Sequence, residues 1–227
     1  MKNIVCTLLM TMASLYVQAQ QSEWYPIATW PFVYELFQDA TIYSGINKIK
    51  AKANIHVGKM SLWYESHGKR LEAKQGTVNK VTFSNGMTYY NINNKLCSVI
   101  SEDTINGKLC RLYMAEQLDK PQYDEMVRIN RQSTMNMLDF SPALTTIATG
   151  VADNEGIRDV EQEPLPLQNK FYMLYNDETF EVNESNILKQ MHSREERNAY
   201  RAFVRSAEII YSSKKSILTV WKTFFVK

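Results

Sequence analysis

From Ile49 to Val57, apolar and polar residues alternate without a break, and this is the tightest constraint the chain carries. Ile49, Ala51, Ala53, Ile55 and Val57 fall on one side, and Lys50, Lys52, Asn54 and His56 on the other. A period of two marks a β-strand with one face on a core and one in water. Similar runs recur at intervals of about ten residues. Met60 to Glu65, Lys69 to Lys74, Val78 to Ser84, Met87 to Ile92, Leu96 to Ile100 and Leu109 to Met114 are parted by turn residues. Asn85-Gly86 lies between two β-branched and aromatic runs, the strongest short-range hairpin signal, because both residues tolerate positive φ. The stretch from Asp39 to Leu118 therefore predicts an antiparallel meander that curls into a small barrel or sandwich.

Downstream the pattern changes. Tyr123 to Asp139 is polar, and Met126 to Met135 reads as a further strand, with a helix opened by Asp124-Glu125 as the alternative. Ser141 to Gly150 suits a buried loop, and Val151 to Gln168 an exposed one. Phe171 to Tyr175 and Glu178 to Val182 bracket Asn176-Asp177 as a second hairpin. Asn183 or Ser185 can cap a short helix, and Ser193 to Glu196 is a capping box. Tyr200, Phe203, Val204 and Ala207, then Ile217, Leu218, Trp221, Phe224 and Phe225, fall at helical spacing, a strand being the alternative for the last group. The predicted class is thus mainly β (α+β), with short C-terminal helices packed on the sheet.

The first residues predict export. Lys2, the apolar Ile4 to Tyr16 and the small residues of Val17-Gln18-Ala19 compose a signal peptide over 1–19. The expected division is then a β domain over 20–150, a loop or linker over 151–168, and a hairpin with helices over 169–227. No other stretch is apolar for long enough to span a bilayer, so a soluble periplasmic or cell-surface protein is expected. Export leaves Cys97 and Cys110. A turn centred near Asp103 and Thr104 places them opposite one another as a possible disulfide. The competing reading is two buried free thiols, since a one-residue shift separates them.

Familiar chemistry finds little purchase. Three histidines, His56, His67 and His192, share no metal-ligand spacing, and there is no Cys-x-x-Cys. Neither Gly-x-Ser-x-Gly nor a phosphate-cradling glycine loop is present, so no cofactor or metal is expected. Glu65, Glu72, Glu102, Asp103 and Glu116 could supply the paired carboxylates of a glycosidase, although carboxylates in strands more often keep edges soluble. Trp63, Tyr89, Tyr90 and Tyr113 form a candidate platform for a sugar ring or peptide, against the reading that they fill the core. From Asn186 onward nine basic residues face three acidic ones. Arg194, Arg197, Arg201 and Arg205 line one helix face, either solvated or aimed at an anionic membrane surface or acidic partner. The formal net charge of +2 favours no strong partner for the whole molecule, and export disfavours nucleic acid.

The segments FQDATIYSGINKIKAKANIHVGKMSLWYES and NKVTFSNGMTYY resemble the opening of uncharacterised exported β-rich proteins of Bacteroidota. FYMLYNDETFEVNESNILKQM through AYRAFVRSAEI is similar to the tyrosine-rich hairpin and short helices that close such chains. The resemblance implies an exported β-rich architecture and carries no catalytic or binding residues. The expected function is a non-enzymatic periplasmic or cell-envelope binding or structural module, meeting an envelope protein, glycan or anionic membrane surface. The alternative is a polymer-acting, glycosidase-like hydrolase.

Overall fold

The computed structural model describes residues 24–139 and 164–226. The expected signal peptide, the expected loop over 141–150 and most of the expected linker over 151–168 lie outside them. Ten strands form one antiparallel sheet: β1 (Gln38–Ser44), β2 (Asn47–His56), β3 (Ser61–Ser66), β4 (Lys69–Glu72), β5 (Lys80–Phe83), β6 (Thr88–Ile92), β7 (Lys95–Ile105), β8 (Lys108–Leu118), β9 (Leu167–Tyr175) and β10 (Glu178–Glu181). Their spatial order is β10-β9-β8-β7-β6-β5-β1-β2-β3-β4. Two meanders, β1 to β4 and β5 to β10, are therefore joined where β5 returns to pair with β1. The architecture is mainly antiparallel β, a curled half-barrel with short C-terminal helices.

Turn chemistry sets most of the joints. Asn93-Asn94, Asn106-Gly107 and Asn176-Asp177 all hold positive φ at both central residues, the geometry whose twist matches paired strands. At Asn85-Gly86 only Gly86 is left-handed, and Asn85 Oδ1 instead accepts the Met87 amide at 3.0 Å.

The sheet has an inner face that holds the core. Ile42, Ala53, Ile55, Leu62, Val81, Phe83, Tyr89 and Leu96 pack there. Curling is fixed at the β2–β3 corner, where Leu96 N donates to Met60 O at 3.0 Å and Leu118 N to Val57 O at 3.2 Å. The alternation of β2 holds as expected from Ala53 to Val57, but Asn54, on the polar side, is fully buried. Residues 31–37 bulge past it. Asn54 Oδ1 accepts the Tyr34 amide at 3.1 Å, and its Nδ2 donates to Tyr34 O at 2.7 Å and Leu36 O at 3.4 Å. A side-chain amide thus replaces the ladder that the bulge interrupts.

A second core lies over β8 and β9, where Cys110, Leu112, Met114, Phe171 and Met173 meet the C-terminal helices. Asn183 caps α2 (Glu184–Lys189) and a complete Ser193/Glu196 capping box starts α3 (Arg194–Ser206), as the residues predict. The last segment is helical, ending in a π-helical turn over Trp221–Phe225.

Two expectations are corrected. Met126 to Met135 is no strand: it belongs to helix α1 (Lys120–Asp139). Asp119 Oδ1 accepts the Gln122 amide, and Lys120–Asp124 and Glu125–Arg128 pair at helical spacing. Cys97 and Cys110 are free thiols. The β7–β8 turn falls at Asn106-Gly107, so Cys110 opposes Asp103, while Cys97 opposes Tyr90. Ser98 opposes Met114, on the Cys110 side, so period-two alternation sends the two thiols to opposite faces.

Replacing Asn54 by Ala strands the Tyr34 amide and carbonyl in the bulge. A loss of about 2–3 kcal/mol in stability is expected from the denaturant midpoint. A change under about 0.5 kcal/mol would show that the bulge holds itself.

Candidate functional site

Cross-strand register decides which side chains meet on the outer face. Directly opposed residues of an antiparallel pair share a face. Lys48 opposes Tyr43, Tyr43 opposes Lys80, and Lys80 opposes Tyr90. One row therefore crosses β2, β1, β5 and β6, alternating cation and ring. Beside it run Lys50, Thr41, Thr82 and Thr88, and then Lys52 opposite Asp39. Lysines two residues apart on β2 stand about 7 Å apart, and four strands span about 14 Å.

The row is held together by cation–ring contacts. Lys80 Nζ lies 4.3 Å from the Tyr43 ring centre and 5.8 Å from that of Tyr90. Lys48 Nζ lies 5.5 Å from Tyr43, and the Arg111 guanidinium 4.7 Å from Tyr90. Each such contact is worth about 0.5–1 kcal/mol at an exposed site and fixes where the charge stands. Arg111 is also paired with Glu102, so its charge is largely spent. Lys48, Lys50 and Lys52 are exposed and Lys80 is half-buried. Below the row, Asp39, Thr41, Lys50, Lys52, Thr82 and Ser84 line an open cleft of about 410 Å³.

The four aromatics expected as a platform do not share one. Tyr89 points inward, 7% exposed, its hydroxyl 3.4 Å from that of Tyr34. Tyr113 is 3% exposed, with Tyr90 edge-on to it at 5.8 Å. Trp63 belongs to a separate aromatic group with Phe32 and His56, and its buried Nε1 has no hydrogen-bond partner. Arg194, Arg197, Arg201 and Arg205 are exposed on α3 (Arg194–Ser206), away from buried Tyr200, and Arg197 Nε donates to Met191 O.

The carboxylates are mostly engaged. Glu65 pairs with Arg70, Glu72 with Lys59, and Glu102 with Arg111, while Asp103 accepts the Thr104 amide. Glu116 lines a cleft of about 420 Å³ with Trp24, Tyr25, Pro26, Val33, Val57 and Leu167. Among the described residues no group of three His, Cys, Asp or Glu side chains could hold a metal ion, and no helix is long and apolar enough to cross a membrane.

Tyr43, Lys48, Lys80 and Thr41 were not singled out by the sequence, because only register brings them together. Comparisons with protein-family models, curated proteins and solved structures found no match to the chain.

Two outcomes are expected of buried titratable groups. Burial pushes the Cys97 thiol up to about 12 and raises that of Cys110. Both should resist a thiol reagent until denaturant is added, with the same count whether or not reductant is used first. Burial, and next the Lys59 charge, hold His56 below its ordinary value of 6.5. The unfolded chain then takes up the proton first, so stability is full above that value and falls as pH drops below it. His56→Gln should flatten the denaturation midpoint between pH 7 and 5; an unchanged slope would remove His56 as its source.

Proposed function

We propose that this protein is exported to the periplasm or cell surface and serves there as a non-enzymatic binding or structural module of the cell envelope. Its partner is an extended anionic ligand, met by the outer face of β2, β1, β5 and β6. One observation carries this reading: four lysines and two tyrosines are set in register on a single sheet face, with Asp39 the only acid among the outward positions of those strands. Export is supported by Lys2, the apolar run from Ile4 to Tyr16 and the small residues at Val17 and Ala19.

Stability alone does not call for this arrangement. Exposed lysines side by side repel, and on a sheet like charges are usually interspersed with acids. Here only Asp39, opposite Lys52, offsets the repulsion, and a polyanion would relieve the remainder. The hydrolase alternative draws less support, because Glu65, Glu72 and Glu102 are each matched to a cation and Glu116 is the one acid lining its cleft. The Arg194 to Arg205 stripe is a second cationic surface, but it lies on a helix whose opposite side is committed to the core.

The test compares binding to immobilised heparin as a generic polyanion. Lys48→Glu/Lys50→Glu/Lys52→Glu should lower affinity tenfold or more at about 0.1 M salt, and salt should weaken the parent chain's binding in the same way. Arg194→Glu/Arg201→Glu should change it less than threefold. The reverse ranking would transfer the site to the helix.

A further inference from the structure

Resting on that reading, we propose that the ligand is a linear acidic glycan of the uronate type, seated in the cleft between Lys50, Lys52, Asp39, Thr41, Thr82 and Ser84. The lining mixes two cations, one acid and three hydroxyls with the apolar Ala40, Ala51 and Phe83. A ligand that offered only negative charge would be served by cations alone, and a carboxylate at Asp39 would repel it. A ligand with no charge would have no use for Lys50 and Lys52. A sugar acid carries both kinds of group on every residue. Its carboxylate suits the two ammonium groups, its hydroxyl hydrogens suit the Asp39 carboxylate, and its hydroxyl oxygens suit the donors at Thr41 and Ser84.

Shape agrees with the chemistry. The cleft, about 410 Å³, lies in the range of small-ligand sites but is open to solvent. That suits one stretch of a chain continuing in both directions. The neighbouring row of Lys48, Tyr43 and Lys80 then lies beside the chain, where it can meet further carboxylates at a spacing of about 7 Å along β2.

The experiment titrates the signal-free chain, by calorimetry or affinity electrophoresis, with four probes. These are polygalacturonate, its fully methyl-esterified form, inorganic polyphosphate, and vesicles of phosphatidylglycerol. The expected result is saturable binding of polygalacturonate, weakened at least tenfold by methyl esterification and by Lys50→Glu/Lys52→Glu. Thr41→Val/Ser84→Ala, which keeps every charge, should weaken polygalacturonate by threefold or more and leave polyphosphate unchanged. Circular dichroism and the melting curve of each variant check that it is folded. Equal binding of polygalacturonate and polyphosphate, with Thr41→Val/Ser84→Ala silent on both, would overturn the glycan assignment while leaving an anion-binding face. Preference for the vesicles would overturn it in favour of a membrane surface. Binding of no probe by a folded chain would overturn both this inference and the function it rests on.

Discussion

The fold depends on how the corner between β2 and β3 is docked. An open sheet of ten strands exposes its apolar face unless it curls or is covered. At this corner Val57 and Met60 are buried, and their carbonyls receive the amides of Leu118 and Leu96 from strands far along the sheet. Met60 takes a left-handed backbone, φ 51°, to make the reversal, at a cost of about 1–2 kcal/mol for a residue with a Cβ. Its amide bonds His56 O at 2.7 Å and its side chain enters the core, which together offset that strain. The Val57 amide also donates to Pro31 O, so one corner anchors the N-terminal segment, the first meander and the second.

The same curling divides the inner face between two cores. β8 belongs to both. Its first half sends Cys110, Leu112 and Met114 under the helices, and its far end meets the β2–β3 corner at Leu118. The helical lobe is internally braced by the Tyr200–Tyr211 hydroxyl contact at 2.8 Å and by Trp221 and Phe225. Loss of packing on one side of β8 is therefore felt on the other. On the outer face Asn54 and Tyr90 share that packing duty, whereas Lys48, Lys50 and Lys52 are exposed and carry none of it.

Much of the architecture was legible because its causes are local. Alternation exposed β2, Asn176-Asp177 exposed the second hairpin, and the Ser193–Glu196 box exposed α3. What was illegible depends on partners distant in sequence. Asn54 sits in a polar position of a clean alternation, and its burial follows only from the bulge of residues 31–37. Helix α1 was obscured because Met126 and Met135 suggest a strand when the Asp119 cap is overlooked. The candidate site was half visible. Lys50 and Lys52 stood out as one face of β2, but nothing local says that Tyr43, Lys80 and Tyr90 continue that face. Adjacent Tyr89 and Tyr90 could not both have faced one ligand, since neighbours on a strand point apart.

One edge of the sheet has a consequence of its own. Among the described residues β4 pairs only with β3, and all four of its residues, Lys69, Arg70, Leu71 and Glu72, are exposed. Its outer backbone groups form a template on which another chain's strand could add. Three of its four side chains are charged, and the strand ends after four residues, too short and too hydrated to seed a growing stack. The molecule can thus keep an unclosed sheet at high concentration without polymerising through it, a property that any protein holding an open half-barrel in a crowded compartment must possess.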